Sequence, residues 1–93
     1  MNYTVEWSVI AQIALADIWV TTSDRGAVTA ACNAFDRLLG TDPHITGTLV
    51  FDTVREFAYP PLGIEFEVID ASRRVFILTV WDINVGRPNP TGN

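Results

Sequence analysis

Ninety-three residues, 48% of them apolar and 11% aromatic, are enough for one modest core and too apolar for a disordered segment. Eleven acidic residues against six basic ones give a net charge of −5, which sets the chain as a whole against a polyanionic partner. No apolar run approaches the ~20 residues of a membrane-spanning helix, and a single cysteine, Cys32, excludes an internal disulfide.

Residues Met1 to Trp7 carry no basic region followed by an apolar block, so no signal peptide is expected. With the lone cysteine this fits a reducing cytoplasm. Tyr3, Val5 and Trp7 alternate with Asn2, Thr4 and Glu6, predicting a first strand with large apolar side chains on one face. Ser8 offers an N-cap oxygen to a helix over Val9 to Val20. Ile10, Ile13, Ala14, Ala16, Asp17 and Val20 are expected to form its buried stripe. Thr22 or Ser23 is then expected to cap a second helix, with Asp24 near its positive end. Val28, Ala31, Cys32, Phe35, Leu38 and Leu39 give that helix one apolar side; Gly40 reads as its C-terminal cap and Pro43 as its stop. So short a turn between the two predicts an antiparallel helical hairpin.

From Thr46 the apolar period changes from helical spacing to two. Thr48 to Phe51 and Val54 to Tyr59 read as strands joined at Asp52-Thr53, and Pro60-Pro61-Leu62-Gly63 interrupts the sheet. Ile64, Phe66 and Val68 alternate with Glu65 and Glu67, which marks a strand with one face in the core and one in water. After the polar break Asp70 to Arg74, Val75 to Trp81 is apolar on both faces and reads as a covered strand. Residues 1–83 form a single domain in this reading, and 84–93 a flexible tail with little to bury. The fold class is α+β, in the order β-α-α-β-β-β-β, with an antiparallel sheet and a helical hairpin packed on one face.

That order resembles the RelE/ParE superfamily of type II toxin–antitoxin toxins. The resemblance rests on Tyr3-Thr4-Val5-Glu6-Trp7-Ser8, on Ala30 to Leu39 followed by Asp42-Pro43, and on Val75 to Trp81. Pro60-Pro61-Leu62-Gly63 before the penultimate strand is similar to the turn of a RelE-like subgroup. Together these pieces span about residues 2 to 82.

The resemblance implies a small cytoplasmic toxin neutralised by a cognate antitoxin, with the ribosome and its mRNA as target in RelE-like members and DNA gyrase in ParE-like ones. In RelE-like nucleases positive side chains on the sheet hold the phosphate, and a Tyr or His near the C-terminus moves the proton. This chain places Gly63, Glu65 and Glu67 where the first group is expected, and Trp81-Asp82-Ile83 where the second is. An mRNA-cleaving activity that is weakened or lost follows, so the catalytic residues are left unassigned. The alternative is a non-enzymatic binding module or homodimer on the same scaffold, or a gyrase-directed inhibitor that needs no catalytic groups.

Arg55, Arg73 and Arg74 are the candidate RNA or target contacts, and Arg87 in the tail is a weaker one. Each has a plainer reading, Arg55 as a solvated cross-strand partner beside Glu56 and Arg73 and Arg74 as turn residues serving solubility. His44 in the loop after the second helix cannot make a zinc site with Cys32, and no metal or other cofactor is expected. Alternation puts Val75, Ile77 and Trp81 on one face of the last strand and Phe76, Leu78 and Val80 on the other. Two helices cover only one sheet face, so the other is closed by a tail, a partner or a second copy, or is left as an apolar patch. Val75, Ile77 and Trp81 are therefore the candidate partner-binding set.

Overall fold

The computed structural model describes residues 2–86. In chain order they form β1 (Thr4–Trp7), α1 (Val9–Thr21), α2 (Arg25–Thr41), β2 (Thr48–Phe51), β3 (Val54–Tyr59), β4 (Leu62–Ile69), a single 3-10 turn at Asp70–Ser72, and β5 (Arg74–Asp82). The expected strands β2 and β3 occur with their expected ends. Arg87 and the rest of the expected tail beyond Gly86 lie outside the described residues.

The sheet has the order β1-β5-β4-β3-β2. The four later strands form an antiparallel meander, as the hairpin turns require. β1 joins β5 in parallel, Val5 opposite Val75 and Trp7 opposite Ile77, which makes the sheet mixed. The long stretch of chain between β1 and β5, both helices and three strands, is what permits parallel pairing, since a tight turn can join only antiparallel strands.

Ser8 turns the chain from β1 into α1 in one residue. Its hydroxyl accepts from the Ala11 amide at 3.0 Å, the expected cap, and donates to the Leu78 carbonyl at 2.9 Å. The second cap differs from expectation. Asp24 caps α2 by accepting from the Ala27 amide, while Thr22 closes α1, its amide donating to the Ile18 carbonyl. Gly40 is not a terminus either: α2 runs on to Thr41, and the amide of Tyr3, just before β1, donates to the Gly40 carbonyl at 2.8 Å.

The largest correction concerns α1. Its core face is Ala11, Ala14, Leu15 and Ile18. Of the stripe expected to be buried only Ala14 packs on the core; the rest points away from it, with Ile10 69%, Ile13 60% and Val20 73% exposed. Every residue of α1 except Gln12, Asp17 and Thr21 is apolar, so two apolar stripes share one helix and their spacing cannot say which is inside. α2 behaves as expected, burying Val28, Ala31, Phe35 and Leu39. Between helices and sheet lies one core, completed by Leu62, Ile64 and Phe66 from β4 and by Val75, Ile77 and Val80 from β5.

Candidate functional surfaces

Register decides which side chains the helices leave uncovered. Directly opposed residues on neighbouring strands share a face. Ile64 opposes Val80 and Phe66 opposes Ile77, all beneath the helices. The other face therefore carries Gly63, Glu65 and Glu67 of β4 with their opposite residues Trp81, Thr79 and Phe76 on β5. From β3 it receives Val54, Glu56 and Ala58, with Glu56 directly opposite Glu65. Three glutamates thus stand on two adjacent strands of this face.

The candidate partner set does not share a face. Register shifts between Glu65 and Phe66, which oppose Thr79 and Ile77, so Leu78 is an extra residue on β5. Before this bulge Val75 and Ile77 point into the core and are fully buried; after it the alternation is reversed. Val75 and Ile77 therefore have no surface to offer a partner in the folded chain. Trp81 alone of the three lies on the face away from the helices, and it too is buried, 8% exposed. Its ring rests on Gly63, where an added Cβ would stand 2.6 Å from Trp81 Cε2. Glycine opens this strand because the indole takes the space of a side chain.

The arginines are also dispersed. Arg55 opposes Phe66 and Leu49, which places it on the helix side of β3, away from the glutamates of the open face. Arg74 is on the open face at the sheet margin, 3.7 Å from Glu6, an exposed pair of small energetic value. Arg73 sits between the 3-10 turn and β5 with φ +52°. No arrangement of these three aims convergent positive charge at one phosphate.

What the fold does assemble is a cluster that sequence separation conceals. His44, in the loop after α2, lies with Nε2 2.7 Å from Asp70 Oδ1. The Tyr3 hydroxyl donates to the same oxygen at 2.6 Å, and the Tyr3 and His44 rings meet edge to face at 6.1 Å. Tyr3 donates to Asp70, holding its carboxyl below the ordinary value of 3.8, with His44 and the Arg73 charge acting in the same direction. The Tyr3 phenol is raised above 10.0, chiefly because it donates to that carboxylate. The cluster ties β1, the loop after α2 and the β4–β5 connection together at one corner.

Its effect on stability has a definite sign. The Asp70 contribution is complete above the unfolded carboxylate value and is lost as pH falls through the lowered folded one. Tyr3 contributes below the unfolded phenol value, and that contribution is lost as pH rises through the raised folded one. Asp70→Asn is expected to flatten both limbs, measured as thermal midpoint against pH. Unchanged limbs would show that the bonds do no energetic work.

Cys32 is half-buried on α2, and burial raises its thiol above the ordinary value of 9.0, which makes it a poor nucleophile. Among the described residues no group of three His, Cys, Asp or Glu side chains could hold a metal ion, and no helix is long and apolar enough to cross a membrane.

The surface that sequence reading missed is the outer face of α1. Val9, Ile10, Ile13 and Val20 stand on it, and beside them Gln12, Leu15, Ala16, Trp19 and Val20 line a shallow depression of about 400 Å³. Arg25 packs on Trp19, its guanidinium 5.4 Å from the ring centre and its Nε donating to the Trp19 carbonyl.

No protein-family model and no curated protein matches the chain. Solved structures do. The RelBE2 toxin–antitoxin complex of Mycobacterium tuberculosis contains a chain similar to this one with a TM-score of 0.73 and 17% identity, over 88% of this chain and 99% of that one. A chain of the chromosomal ParDE system of P. aeruginosa gives 0.67 and 16%, over 87% and 96%. An arginine-to-alanine double mutant of the E. coli toxin RelE, in its free state, gives 0.64 and 15%, over 91% and 87%. At these identities the likeness establishes the fold: the helical hairpin on a five-stranded mixed sheet is that of the RelE and ParE toxins, as the sequence resemblance implies.

Proposed function

We propose that this RelE/ParE-fold chain is the toxin-type component of a toxin–antitoxin pair, held by a cognate antitoxin, and that it acts by binding a protein target rather than by cutting mRNA. The supporting observation is the open sheet face. Gly63, Glu65 and Glu67 stand on it where the family's phosphate-holding groups are expected, while Arg55 lies on the helix side of β3 and Arg74 is paired at the margin with Glu6. Cleavage of a phosphodiester needs positive charge converging on the phosphate and a proton carrier within reach of it. Here the arginines do not converge, the chain carries a net charge of −5, and the sole histidine is bound to Asp70 at another corner. DNA gyrase is the protein target that the sequence resemblance offers.

The antitoxin part of the reading draws on RelBE2 and ParDE, whose solved structures are toxin–antitoxin assemblies of the same fold. It also explains why an acidic small protein leaves an apolar helix face uncovered. The target part is tested by mapping mRNA 5′ ends in cells induced to express the chain. Arrest without new ends at translated codons is the expected result. New ends that disappear in Arg55→Ala or Arg73→Ala would overturn it and restore an RNA-cleaving role.

A further inference from the structure

We draw no further inference here: the strongest candidate, the outer margin of the sheet at β2, where Leu49, Val50 and Phe51 are exposed, carries nothing, because nothing in the structure shows what covers it.

Discussion

Phe35→Ala is expected to destabilise the chain by about 4 kcal/mol, measured as the shift in ΔG from urea unfolding. Phe35 is fully buried in the middle of α2 and joins two remote strands. Its ring centre is 6.5 Å from that of Trp7 on β1 and 6.1 Å from that of Phe57 on β3, the latter edge to face. Two strands, β5 and β4, lie between them in the sheet, so truncation opens a cavity at the centre of the helix-sheet layer. Neighbouring aromatics are too rigid to fill it, which puts the cost in the upper part of the usual range. A domain of this size has on the order of 5–10 kcal/mol in total, so the variant should lie near its unfolding limit at 37 °C. Ile13→Ala on the outer face of α1 should change stability by less than about 0.5 kcal/mol in the same experiment. Equal losses at the two positions would show that the assigned core face of α1 is wrong.

Gly47→Ala is expected to cost roughly 3 kcal/mol, from two sources that add. Gly47 has φ +73°, a backbone conformation that L side chains rarely adopt. An added Cβ would also stand 2.2 Å from the Glu56 carbonyl oxygen and 3.0 Å from Phe57 Cβ. The obstruction is backbone, so relief requires the loop after α2 to lift from β3. That loop carries His44 to Asp70, and lifting it should break the bond between them. The His44 ring signals in NMR should therefore move in Gly47→Ala as they do in Asp70→Asn. A fully stable Gly47→Ala variant with unmoved His44 signals would contradict the packing described.

Local signals in the sequence carried far where only one solution was available. Asp52-Thr53 between two period-two runs placed the β2–β3 turn, and the alternation of Ile64, Phe66 and Val68 with Glu65 and Glu67 placed the faces of β4 correctly. Where both sides of an element are apolar, periodicity has no power to choose. α1 was turned inside out on that account, because Ile10, Ile13 and Val20 are as hydrophobic as the Ala11, Ala14, Leu15 and Ile18 face that packs. The same ambiguity hid the bulge at Leu78, which reverses the alternation within an unbroken apolar run and separates Trp81 from Val75 and Ile77. His44 and Asp70 are 26 residues apart, and Tyr3 is 67 from Asp70, so only the tertiary fold brings the corner cluster together. The acidic open face was readable in part: Glu65 and Glu67 announced it, and the β3–β4 register added Glu56.

The toxin-type role proposed for the chain requires that its expression alone harm the cell and that a partner relieve the harm. Its most direct measurement is the growth of cells induced to express the chain alone and together with the reading frame that adjoins its gene. Arrest is expected in the first culture and normal growth in the second. Unimpaired growth of the first culture, with the folded chain present in the cells, would contradict it.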